Sequence, residues 1–353
     1  GALKIDDGDH WLSNLISLTH LSFDSICNLN TYSCLQMIAK LPKLRYLSLI
    51  DCNLSDHFIL SLRPSKFNFP SSLSILDLSW NNFMSSMIFQ WLSNVTSNIV
   101  ELDLSDNLLE GSTSKHFGRV MNSLEHLDLS NNIFKGENLK SFMNVCTLHS
   151  LYMQYNNLTE DLPSILHMLS SGCVRHALKE LDLTSNQITG SLPDLSVFSS
   201  LKSLILDRNQ LSGKIPEGSR LPSKLEFLLV RLNSLEGGVP KSFGNACALN
   251  SLDLFKNIFN KELSMIIHQM SGCARFSLQE LNLSDNQINA TLPNLSIFST
   301  LKTLDLSENQ LIGKIPESNK LPSILESLSI GSNILEGGIP KSFGNACALR
   351  SLD

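Results

Sequence analysis

Leu201-Lys202-Ser203-Leu204-Ile205-Leu206-Asp207-Arg208-Asn209-Gln210-Leu211-Ser212-Gly213-Lys214-Ile215-Pro216 is the stretch that decides the fold. Leu204 and Leu206 alternate with other residues, the period of a short strand with one buried face. Asn209 follows at the next inward place, where the chain must turn away from the strand. An Asn amide both donates and accepts, so stacked Asn side chains can satisfy the backbone of neighbouring turns. Gly213 permits a turn backbone and Pro216 fixes φ for the segment that follows. One unit of about 24 residues cannot bury its own leucines, so it must stack on copies of itself.

Those copies fill the chain. The frame Leu-x-x-Leu-x-Leu-x-x-Asn recurs with its asparagine at Asn81, Asn107, Asn132, Asn156, Asn186, Asn209, Asn233, Asn257, Asn286, Asn309 and Asn333. Upstream, Leu44-Leu47-Leu49 carries Cys52 in the Asn place, where a small buried thiol donor suits the ladder. Leu18-Leu21-Phe23 is degenerate, and Leu349-Leu352-Asp353 begins a further turn. The pattern predicts an α/β solenoid of about thirteen turns plus a truncated one, a right-handed superhelix with a parallel sheet on its concave face. It also predicts one domain over residues 1–353, without terminal caps, in place of the two or three compact domains that 353 residues would otherwise suggest. Gly190, Gly213, Gly238, Gly313 and Gly338 mark the turns before Pro193, Pro216, Pro240, Pro316 and Pro340. Phe117, Phe142, Phe243 and Phe343, each shortly before a strand, are expected to fill the convex side of the core.

The unit L-x-x-L-x-L-x-x-N-x-L-x-G-x-I-P resembles the plant-specific class of leucine-rich repeats. The phrases from Leu178 to Asp353 resemble plant receptor-like proteins of the ethylene-inducing-xylanase receptor type. That resemblance implies an extracellular recognition domain at the plasma membrane. Its ligand would be an apoplastic protein or peptide, and it would signal through partner co-receptor kinases. Two other readings stay open: a secreted inhibitor of cell-wall-degrading enzymes, and the ectodomain of a receptor kinase. The inhibitors resembled are shorter, with about ten turns, which weighs against the first.

A block is duplicated one hundred positions apart, 178–253 and 278–353, and Lys241–Leu249 recurs verbatim as Lys341–Leu349. The framework is mostly held, while differences gather at strand positions expected to face solvent. Ile205, Asp207 and Arg208 become Asp305, Ser307 and Glu308; Phe227, Leu229, Arg231 and Leu232 become Ser327, Ser329, Gly331 and Ser332. Drift on an unconstrained surface accounts for such a pattern as well as selection does. Most turns carry bland outward residues, yet a few present Tyr152, Tyr155, Ile205, Arg208, Phe227, Leu229, Arg231, Leu232, Phe255 and Lys256. Tyr, Phe and Arg enrichment marks interface centres, so these ten form the candidate ligand patch. Trp80 is a separate, weaker candidate.

Cys146 with Cys173, and Cys247 with Cys273, occupy equivalent places around two enlarged turns and are expected to form disulfides, which needs an oxidising compartment. Cys347 begins a third such pair, and Cys27 could pair with Cys34. Glycosylation sequons fall at Asn53, Asn94, Asn157, Asn282, Asn289 and Asn294, a number that composition alone would produce. A net charge of −6 argues against a nucleic-acid partner. Gly1 to Leu15, with Asp6, Asp7 and Asp9, reads as no signal peptide, and no apolar run is long enough for a spanning helix, so any membrane tie would lie outside this chain. No phosphate loop, nucleophile elbow or zinc-protease motif appears. His167, Cys173 and His176 resemble metal ligands, but Phe276 replaces His176 in the duplicate. Asp103, Asp106 and Glu110 read as a solvated acidic face. The expectation is a binding scaffold with neither enzyme activity, metal nor cofactor.

Overall fold

A computed structural model describes residues 12–25, 32–61, 68–95, 98–111 and 117–353. The chain divides into two compact units, residues 1–159 with 165–180, and residues 160–164 with 181–353.

In the first unit the strands His20–Asp24, Tyr46–Ile50, Ile75–Asp77, Glu101–Asp103, His126–Asp128 and Ser150–Tyr152 pair in chain order, every pair parallel. Equivalent leucines lie side by side: Leu47, Leu76, Leu102, Leu127 and Leu151 are in register, each fully buried. Behind them Phe89, Phe117 and Phe142 pack edge to face, with ring centroids 5.0–6.2 Å apart. Each buried ring or leucine contributes roughly 1.5–3 kcal/mol by leaving water. Phe243 is likewise fully buried and Phe343 is 4% exposed, so all four expected phenylalanines are core.

The second unit repeats the plan with Ser203–Ile205, Phe227–Leu229, Ser251–Asp253, Glu280–Asn282, Thr303–Asp305, Ser327–Ser329 and Ser351–Leu352. It adds two small parallel sheets that the repeat pattern did not announce. One joins Ser212–Lys214, Ser234–Gly237 and Ile258–Phe259; the other joins Asn289–Ala290, Gln310–Lys314 and Ile334–Glu336. The glycine in these segments takes positive φ, as at Gly213 (78°). In the Glu-Gly-Gly turns the first glycine does so, at Gly237 and Gly337, rather than Gly238 and Gly338, because the first stands at the same distance from the ladder Asn.

The Asn side chains form the inter-turn ladder. Asn257 is representative: Nδ2 donates to Val230 O of the preceding turn (2.8 Å) and to Leu254 O of its own (3.1 Å), and Oδ1 accepts from Leu235 N (3.0 Å). Asn81, Asn107, Asn132, Asn209, Asn233, Asn286, Asn309 and Asn333 repeat the arrangement, and Asn156 does so with Leu129 O. Cys52 keeps its thiol, 3.3 Å from Ile50 O, in the Asn place.

Candidate recognition face

Four outward columns run across the strands of the second unit. The first holds Ser203, Phe227, Ser251, Glu280, Thr303 and Ser327; the second holds Ile205, Leu229, Asp253, Asn282, Asp305 and Ser329. Backbone bonds just past the strands align Arg208 with Leu232 and Lys256, and beside them Arg231 and Phe255.

The second column has a structural duty. Asp253, Asn282 and Asp305 each accept the backbone N–H two residues on, at 3.0 Å, closing a small side-chain turn. Asp77, Asp103, Asp128 and Asp182 do the same in other turns. Ile205 and Leu229 cannot, since they have no acceptor, and Tyr152 holds the same position in the first unit without one. Each such bond is worth about 1 kcal/mol, and at Ile205, Leu229 and Tyr152 an apolar or aromatic side chain stands in place of the acceptor.

Arg231 shows how the loss at Leu229 is made good. Its backbone N–H bonds Asp207 Oδ1 of the preceding turn (2.8 Å), and its Nε and Nη2 bond Asp207 Oδ2 (2.8 and 2.5 Å). Asp207 is therefore not solvent-facing as its strand parity implied; it is 3% exposed, covered by the guanidinium. Arg231 also lies 3.9 Å from Asp253, and its pKa is raised mainly by the Asp207 bonds. Arg231 is thus first a structural cation. Phe227 (38% exposed) and Arg208 stand out from the face; Ile205, Leu229, Leu232 and Phe255 are half-buried; Lys256 is exposed and 3.3 Å from Asp285.

Arg208, Leu232 and Lys256 share a further trait: each precedes a ladder Asn and has φ near 53–54°. Left-handed backbone disfavours such side chains by roughly 1–2 kcal/mol, and it turns them outward. Trp80 (φ 57°, 61% exposed) and Tyr155 (φ 55°, 55% exposed) occupy the same place in the first unit. Tyr152 donates its hydroxyl to Glu180 (2.5 Å), and burial, with that bond, pushes its pKa up to about 12. The ten sequence candidates thus divide between the units, Tyr152 and Tyr155 in the first and the other eight in the second.

Asp77, Asp103 and Asp128 stack on adjacent strands of the first unit. Asp103 is half-buried on that face: burial first, then the neighbouring carboxylates of Asp128 and Asp77, push its pKa up to about 6.

Cys146 is bonded to Cys173 and Cys247 to Cys273, with Cα atoms 5.1 and 5.0 Å apart, so Cys173 is not available to a metal with His167 and His176. The backbones approach closely here; a Cβ on Gly272 would stand 2.3 Å from Gly244 O. That glycine requirement, in Ser-Gly-Cys at 171–173 and 271–273, escaped the sequence reading. Cys347 is exposed and in no disulfide among the described residues, and Cys27 lies outside them. Among the sequons Asn53, Asn94 and Asn294 are exposed, while Asn157, Asn282 and Asn289 are half-buried; Asn282 Oδ1 also holds Ser284.

The leucine-rich-repeat family profile matches residues 123–145, 147–169, 177–196, 200–220, 300–320 and 325–346, and a second leucine-rich-repeat profile matches 276–291. The chain is a leucine-rich-repeat solenoid. The tomato (Solanum lycopersicum) Receptor-like protein EIX1 is 35% identical over 194 residues, 54% of this chain and 18% of that protein. Arabidopsis thaliana Receptor-like protein 53 is 32% identical over 182 residues, 52% of this chain and 18% of that protein. The resemblance to plant receptor-like proteins of the ethylene-inducing-xylanase type is therefore direct, and the solenoid spans about a fifth of the length of these relatives. The crystal structure of a TDR receptor shares the fold at TM-score 0.68 and 24% identity, covering 96% of this chain and 60% of that one. So does an internalin from Listeria monocytogenes, at TM-score 0.61 and 20% identity, covering 97% of this chain and 82% of that one. Among the described residues no helix is long and apolar enough to cross a membrane.

Proposed function

We propose that this solenoid is part of the ligand-recognition ectodomain of a plant cell-surface receptor-like protein. It binds an extracellular protein or peptide on the open sheet face of its second unit and works through partner co-receptor kinases. The observation that carries the reading is the apolar replacement of the side-chain turn acceptors at Ile205 and Leu229, both half-buried, beside the outward-standing Phe227. A scaffold position that departs from the pattern of its equivalents without a folding gain is where function is expected. The relatives' receptor-like names point the same way. The solenoid fold itself does not, since an internalin shares it. The two disulfides fit an oxidising, extracellular compartment. Asn53, Asn94 and Asn294 are the sequons best placed to carry glycans there.

The test uses the duplicate's own residues. A displayed random-peptide library is selected on the immobilised chain, and the enriched peptides are measured against Phe227→Ser/Leu229→Ser. An anchor pair of this kind is worth about 2 kcal/mol or more, so affinity should fall at least about thirtyfold, with the unfolding midpoint little changed. Enriched peptides that bind both proteins equally, or no enrichment, would refute the assignment.

A further inference from the structure

We propose that Glu125, His126 and His149 form a binding site for a divalent transition-metal ion of the zinc class on the strand face of the first unit. One nitrogen from each imidazole and one Glu125 oxygen lie within 4.8 Å of one another. Among the described residues this is the single cluster of three such groups. Glu125 and His126 lead into one strand and His149 into the next. His149 N bonds Glu125 O (2.7 Å), and His126 is in register with Ser150, so strand pairing sets the spacing.

The Glu125–His149 distance suits a metal, and the His126 nitrogen lies within 4.8 Å of both groups. His149 Nδ1 is 3.2 Å from Glu125 Oε2, close to the ~3.4 Å edge of a tetrahedron whose ligands stand about 2.0–2.2 Å from zinc. Two imidazoles and a carboxylate are a donor set that zinc takes, and three protein ligands leave an open position facing solvent. Water, or a donor atom from a bound partner, can fill it.

A second layer orients His126. Its Nδ1 is 3.1 Å from Ser150 Oγ, and that hydroxyl donates to Glu180 Oε2 (3.1 Å), which also takes the Tyr152 hydroxyl. With the serine proton committed to Glu180, Ser150 Oγ accepts from His126 Nδ1–H, which leaves Nε2 as a bare lone pair. Hydrogen-bonded relays of this kind fix the tautomer of metal-binding histidines. Glu101, in register with His126, adds negative charge, and Lys179, whose amide bonds His149 O, opposes it. The sequence hid the cluster because Glu125 and His149 are a full turn apart in the chain and adjacent only through stacking.

Calorimetric titration of the purified chain with zinc chloride tests the site. The expected result is one saturable ion per chain, with affinity reduced at least tenfold in His126→Asn/His149→Asn and in Glu125→Gln. Ser150→Ala, which removes the orienting hydroxyl, should reduce it about tenfold. His167→Asn/His176→Asn, altering the other near-neighbour histidines of this unit, should leave it unchanged. No saturable binding, or binding unmoved by the first double variant and by Glu125→Gln, would overturn the proposal. Equal loss in the His167/His176 control would overturn it too.

Discussion

Replacing Arg231 with Met keeps the aliphatic stem and removes the guanidinium from Asp207. That carboxylate is 4% exposed, so water cannot fully replace the two bonds it loses. It retains only the Arg231 backbone N–H at 2.8 Å, and Asp253 then faces it without the intervening cation. Removing one partner of a fully buried pair costs about 3–5 kcal/mol. The Arg231 side chain is 41% exposed, so solvent reaches one end of this pair and the cost drops to about 2 kcal/mol. In Asp207→Ser/Arg231→Met no charge is stranded, so the double variant should lie within about 1 kcal/mol of the parent. The assay is a double-mutant cycle by urea unfolding, with Asp207→Ser as the fourth corner. A coupling of at least about 1 kcal/mol is expected for groups in direct contact. Strict additivity, or an Arg231→Met cost below about 0.5 kcal/mol, would show that the pair is ornamental and return Arg231 to the pool of free ligand contacts.

Asp103→Asn tests the stacked carboxylates. The folded-state pKa of Asp103 is raised from 3.8 to about 6, so its charge weakens the fold at neutral pH, and stability is recovered as pH falls through about 6 toward 3.8. Asn282 shows that an amide serves in this position. The shift corresponds to at most about 3 kcal/mol, reduced by solvent access to about 1, so Asp103→Asn should be stabilised by about 1 kcal/mol at pH 7.5 and by almost nothing near pH 4. A pH-independent difference in unfolding midpoints would contradict this. Gly244→Ala and Gly218→Ala compare one substitution at a close backbone approach and at an open turn. A Cβ at Gly244 would stand 2.2 Å from Gln269 O, whereas nothing lies within 4 Å at Gly218. Overpacking should cost about 1–3 kcal/mol at the first and under about 0.5 at the second; equal costs by thermal unfolding would refute the close-approach argument.

The solenoid was legible because its determinants are local and periodic. A leucine at a fixed offset from an asparagine is buried in every turn for the same reason, and Asn257 or Asn286 can be assigned its bonds from one repeat alone. The small second sheets and the left-handed residue before each ladder Asn were less visible. They follow from backbone geometry that many side chains tolerate, from Asp106 and Ser185 to Trp80 and Leu232. Contacts between turns were least legible. Strand parity put Asp207 in solvent, and only the arrival of Arg231 from the next strand buries it; Glu125 and His149 meet by the same route.

The duplicated block makes that last point sharper. Asp207 and Arg231 differ together between the copies: both members of the pair are present in one, and Ser307 and Gly331 replace both in the other. Simple drift at two unrelated surface sites would leave the intermediate combinations as acceptable as either end. Here one intermediate strands a buried carboxylate, so the change at one position constrains the other. The neighbouring substitutions at Phe227 and Leu229 carry no such structural coupling, because Phe227 projects outward and the Leu229 side chain has no hydrogen bond to lose. Their exchange for Ser327 and Ser329 is therefore where selection on binding, rather than on folding, can act, and it is why the recognition test rests on Phe227 and Leu229 and leaves Arg231 intact.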